Sequence, residues 1–140
     1  MKKYIFPGTL VLLVGFLSPV FVLASNFDGS KPLLCASVHA TECGAENQTC
    51  ISGAPWKVNF PVFMQIDFKA KTASTLDYHK NPRLTKIELV DHLADNRMSI
   101  HGTDGELSWS MLISEETGSM TLAIAGEEHG FIIFGACTLQ

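Results

Sequence analysis

Four cysteines, five histidines and two adjacent glutamate pairs are the groups in this 140-residue chain whose types could carry chemistry. Cys35, Cys43, Cys50 and Cys137 contain no Cys-x-x-Cys pair, the spacing that a zinc site or a dithiol redox centre would use. Four cysteines allow three disulfide connectivities. The expected pairing is Cys43 with Cys50, pinning the loop between them, and Cys35 with Cys137, tying the first strand to the last. By loop-closure entropy the long link contributes about 4–5 kcal/mol and the short one about 2–3. The histidines are His39, His79, His92, His101 and His129. None has the i, i+4 spacing of a helical zinc motif. His101 and His129 fall at or near strand ends and could approach one another at a barrel mouth.

Glu115-Glu116 and Glu127-Glu128 fall in predicted turns. A glycosidase needs two carboxyl groups facing each other across a cleft, and neighbours in a turn are solvated instead. Ser99, Ser108, Ser110 and Ser114 alternate with apolar residues, so they belong to wet strand faces, and no Gly-x-Ser-x-Gly elbow is present. Asn47-Gln48-Thr49 matches a glycosylation acceptor, relevant only in a eukaryotic secretory pathway. The reading therefore assigns no catalytic residue, no metal ligand and no cofactor.

The first 24 residues set the compartment in which these groups work. Lys2 and Lys3 precede an uncharged apolar run, Tyr4 to Ala24, that ends in Val22-Leu23-Ala24. That is the layout of a signal peptide over 1–24, with one disulfide-stapled domain over 25–140. Pro7, Gly8, Gly15 and Pro19 make the run a poor permanent anchor, so no membrane span is expected after cleavage. Export to an oxidising compartment is what turns the cysteines into disulfides. Of the 10 basic residues two leave with the signal, which sets the remaining 8 against all 14 acids. Such a balance has no electrostatic footprint for nucleic acid or for anionic membranes.

The elements that must position these groups read as strands. Residues 25–32 are polar and read as a flexible terminus. Residues 33–43 alternate, with Leu34, Ala36, Val38 and Ala40 on one side. Residues 44–54 read as a loop. Beyond Pro61, Val62, Met64, Ile66 and Phe68 share one face, and Phe63, Gln65 and Asp67 the other. Further strands are expected over 84–91, 97–102, 106–113, 119–125 and 130–138. The connectors between the last four strands are too short for parallel crossovers, so neighbouring strands form hairpins. Asp104-Gly105 is a hairpin signal, and Glu115-Glu116-Thr117-Gly118 suits a turn closed by a left-handed glycine. The expected fold class is all-β. A small antiparallel meander closes into an up-and-down, lipocalin-like barrel of about seven or eight strands, with a β-sandwich as the alternative.

On such a barrel Trp109 shares a face with Leu107, Met111 and Ile113, and belongs to the core. If the interior holds a pocket, Trp109, Met98, Met111 and Met120 are the candidate ligand contacts, with Ile100, Leu122 and Ile124 beside them. Trp56 either plugs one barrel end or anchors a partner. Phe131 to Phe134 are continuously apolar, which implies that both faces of the last strand are covered and makes Phe131 a second candidate partner contact. Gly135 and Ala136 leave room for another backbone to approach.

Several of these segments resemble a family of small exported proteobacterial proteins. They are Pro32-Leu33-Leu34-Cys35-Ala36, Glu42-Cys43, Ile66-Asp67-Phe68, Trp109-Ser110, Glu115-Glu116-Thr117-Gly118, Met120-Thr121-Leu122, Gly130-Phe131 and Phe134-Gly135-Ala136-Cys137-Thr138. The resemblance implies a periplasmic or secreted bacterial protein and brings no functional residues with it. A looser similarity, at the level of fold, is to periplasmic lysozyme inhibitors, which are disulfide-stapled barrels that block an enzyme cleft with a loop. Three functions are consistent with the sequence. The first is a non-enzymatic binding module that engages a protein or cell-envelope partner through its loops. The second is a carrier of a small apolar ligand, ranked lower because the large aromatic side chains suggest a filled interior. The third, a hydrolase, lacks a nameable nucleophile and base.

Overall fold

In the computed structural model, residues 27–46, 49–76 and 83–140 are described. Residues 1–24, read above as a signal peptide, lie outside them, as do Asn47 and His79. Nine strands follow in order: β1 (Leu33–Gly44), β2 (Cys50–Gly53), β3 (Phe63–Asp67), β4 (Thr72–Thr75), β5 (Leu84–Leu93), β6 (Arg97–Asp104), β7 (Leu107–Ser114), β8 (Ser119–Ala125) and β9 (His129–Leu139). All pair antiparallel, in the order β2-β1-β3-β4-β5-β6-β7-β8-β9, and β1 also pairs with β9. Eight strands therefore close into a barrel, and β2 is an extra strand on the C-terminal half of β1. The closed ring is the expected barrel; a sandwich would break the ladder into two separate sheets, whereas here every neighbouring pair from β1 round to β9 is joined.

Turn chemistry follows the sequence closely. Gly105 opens the two-residue β6–β7 turn at φ 63°, and Gly118 closes the β7–β8 turn at φ 71°. Both occupy the left-handed region that a Cβ disfavours. Asp95 and Asn96 take positive φ in the β5–β6 turn, the two residue types that tolerate it best after glycine.

Both expected disulfides are formed, Cys35–Cys137 and Cys43–Cys50. Cys35 stands directly opposite Cys137 in the β1–β9 ladder, so the long link crosses the seam where the barrel closes. The core is the barrel interior, with Leu33, Ile66, Met98, Ile100, Met111, Ile113 and Ile133 buried almost completely. Each such side chain contributes roughly 1.5–3 kcal/mol relative to exposure. Among the described residues no helix is long and apolar enough to cross a membrane.

Four sequence expectations are corrected. Residues 44–54 are not all loop, because Cys50–Gly53 pair with β1. On β1 the buried face is Leu33, Cys35 and Ser37 rather than Leu34, Ala36 and Val38. Cys35 has to face Cys137, and a bulge between Ser37 and His39 then returns Ala40 to the interior while Val38 is 69% exposed. Phe27, in the segment read as a flexible terminus, is buried and accepts a place in the fold through a hydrogen bond from its N–H to Glu115 O (3.3 Å). Finally, β9 is not covered on both faces, since Ile132 and Phe134 remain exposed.

Candidate functional site

The two ends of the barrel are built differently. At one end Phe27 lies beside Gly118, where an added Cβ would sit 2.7 Å from the ring. Gly29 brings the following chain against Phe68 and Met98. Glu115 and Glu116 are absorbed in bracing this end. Glu115 meets His92 Nδ1 at 2.6 Å, and Asn96 Nδ2 donates to Glu116 at 2.7 Å. These hydrogen bonds join the end of β5 and the β5–β6 turn to the β7–β8 turn, which is why the acidic pair faces no cleft.

The other end is open. It carries the β6–β7 and β8–β9 turns and the short 3-10 turn Pro55–Val58. Here the interior holds a cavity of about 600 Å³. Its walls include Met64, Ile66, Met111, Leu122, Ile124 and Phe131, with Trp109 among them. Period-two alternation along β3, β7, β8 and β9 sends these side chains inward. Polar groups, Glu42, Arg83, Asp104 and His129, gather among the lining residues at strand ends. His129 Nδ1 lies 3.4 Å from the Glu42 carboxylate.

Trp109 is held in a defined pose. Its Nε1–H donates to Thr85 Oγ1 at 3.2 Å, and its ring lies directly over Gly102. A Cβ at Gly102 would run into that ring and into the Lys86 carbonyl. The indole thus satisfies its one polar atom while presenting apolar surface to the cavity.

Of the four candidate ligand contacts, Trp109 and Met111 line the cavity. Met98 and Met120 are buried but do not line it, because they pack into the closed half. Phe131, expected as a partner contact, is half-buried, packs against the core and lines the cavity instead. Trp56 is 70% exposed and plugs nothing. His101 and His129 do not meet. His101 bonds Ser99 Oγ at 2.8 Å on the outer face, whereas His129 belongs to the open end. Among the described residues no group of three or more His, Cys, Asp or Glu is placed to hold a metal ion.

Sequence reasoning missed Met64, Ile66 and Phe131 as lining residues. Alternation does put Met64 and Ile66 on the inward face of β3, and that was the available signal. What alternation omits is which inward side chains surround empty space. The chain matches no protein-family model and no curated protein sequence, so the site rests on its own geometry.

Proposed function

We propose that this protein is an exported, non-catalytic binding protein that holds a small, largely apolar molecule in the open end of its barrel. The cavity carries the reading. Its volume of about 600 Å³ falls within the range of sites that enclose drug-sized ligands. Methionine and branched aliphatic walls accept varied shapes, and the few polar groups among them suit one polar end of a ligand. The aromatic residues that suggested a filled interior are distributed otherwise: Phe63 is exposed, Phe134 is exposed, and Phe68 packs on the core away from the cavity. Two disulfides and the resemblance to small exported proteobacterial proteins support a periplasmic or secreted location.

The test is native mass spectrometry of protein purified from its own host, combined with displacement of a fluorescent apolar probe. A co-purifying mass of lipid or metabolite size is expected, with probe binding that Leu122→Trp abolishes by filling the cavity. A clean apo mass together with probe binding unchanged in Leu122→Trp would overturn the reading.

A second reading, a loop-borne contact with a protein or cell-envelope partner, has one observation in its favour. Trp56 is exposed two residues before Val58, which lines the cavity, and large exposed tryptophans are frequent interface anchors. In that case Trp56→Ala would abolish capture of the partner from periplasmic extract and leave probe binding intact. Equal capture by both proteins would remove this reading.

A further inference from the structure

The outer surface of the barrel is divided by charge. Cross-strand pairing aligns three rows of five outward residues over β6, β7, β8, β9 and β1. The central row is His101-Ser110-Ala123-Ile132-Thr41. The rows on either side begin at Ser99, which points outward but is buried, and at Thr103. None of these fifteen positions is Asp, Glu, Lys or Arg. A soluble surface is about 25–35% charged, so roughly four or five charges are missing from this face. Charge returns on the next strand, where Asp91 stands opposite Ser99 and Lys86 opposite Thr103.

The same face has relief. Ile132 and Phe134, 41% and 47% exposed, form an apolar ridge on β9. Beside it, small residues of β7 and β8 form a trough of about 440 Å³ floored by Ser108, Ser110, Ala123 and Ala125. Depletion of charge around an exposed apolar strip marks a protein contact surface.

We propose that this face binds a second copy of the chain. Three physical arguments select that occupant. The chain is acidic, with net charge −4, so two copies repel wherever they present carboxylates. The fifteen positions of this face carry none, and Glu88 Oε1, which accepts from Thr103 Oγ1 at 2.7 Å, lies at its β6 edge. A basic partner would seek those carboxylates, and an anionic membrane would need lysines or arginines, so neither fits a neutral surface. The relief is also self-complementary. A two-fold axis along the strands between β8 and β9 sets Ile132 of each copy over Ala123 of the other, and Phe134 over Thr121. Ile132 of each copy enters the trough of the other and Phe134 packs beside it on Thr121, so the same patch is used twice, as an isologous contact requires. The contact lies outside the barrel and leaves the open end free.

The test is sedimentation velocity of the purified, fully oxidised protein over a wide concentration range. The wild type is expected to self-associate to a dimer, more tightly as salt rises, because salt screens repulsion between acidic copies. Ala123→Glu places two carboxylates inside the contact and is expected to weaken association by at least about tenfold. Leu84→Glu, exposed on the charged side, is expected to leave it unchanged. Unfolding midpoints of both variants show that the fold is kept. The proposal is overturned if the wild type stays monomeric throughout, which would give the face to a different partner. It is also overturned if salt weakens the dimer, or if Leu84→Glu disrupts it as much as Ala123→Glu.

Discussion

Replacing Cys35 and Cys137 together by alanine is expected to lower the unfolding free energy by about 4–5 kcal/mol, against about 2–3 for the Cys43 and Cys50 pair. The difference comes from the denatured chain. The first link joins residues 102 apart and the second only 7 apart, so the first removes far more conformational freedom from the unfolded ensemble. It also lies on the seam. β1 and β9 are the first and last strands of the ring, and their pairing has to be reached across almost the whole domain. Without the link that long-range closure loses its covalent anchor, and the buried space around Cys35 loses atoms as well. Urea unfolding of the two double variants, with the remaining disulfide intact in each, checks the ranking. Equal losses would show that loop closure does not govern stability here.

Gly135→Ala is expected to cost about 3 kcal/mol, a large effect for one methyl group. An added Cβ at Gly135 would strike the Ala36 carbonyl, and it would lie 2.6 Å from Met120 Cε. The methionine end can swing aside, but the carbonyl belongs to the β1–β9 ladder and moves only if the strands part. Gly130→Ala on the same strand is the control. Its Cβ would meet nothing closer than Ile124 O at 3.7 Å, an ordinary contact, so little loss of stability is expected. Amide hydrogen exchange would locate the damage. Gly135→Ala should expose amides of β1 and β9 and spare those of β6 and β7. A uniform loss of protection, or no loss, would contradict a seam-specific clash.

Much of this seam is legible in the sequence. Gly135 was expected to admit a close backbone, and the Ala36 carbonyl is that backbone. Gly105 and Gly118 stand at left-handed positions where turn chemistry put them. The disulfide pairing followed from the idea that first and last strands meet when a meander closes. Short connectors left antiparallel neighbours as the only option, and alternation gave the inward faces of β3, β7 and β8.

The buried face of β1 was misread for a definite reason. Alternation fixes which residues share a side within one uninterrupted strand, but one extra residue at a bulge reverses the assignment. Ser37 illustrates the outcome. Its hydroxyl is the buried side-chain polar atom without a hydrogen-bond partner among the described residues, while the more apolar Val38 next to it faces solvent. Hydrophobicity alone would have placed them the other way round. The register demanded by Cys35 and Cys137 overrides that preference.

The sequence by itself determined that this is an all-β chain and that its neighbouring strands pair as hairpins. These are consequences of local periodicity, turn chemistry and the shortness of connections, all properties of residues near one another in the chain. Only the tertiary structure decided that the barrel is closed at one end by Phe27 and hollow at the other, and that fifteen outward positions on five strands share an uncharged face. A cavity is the volume that a ring encloses less the volume of the side chains pointing into it. A surface patch is an alignment of residues from strands far apart in sequence. Both depend on register and closure, which no single segment encodes.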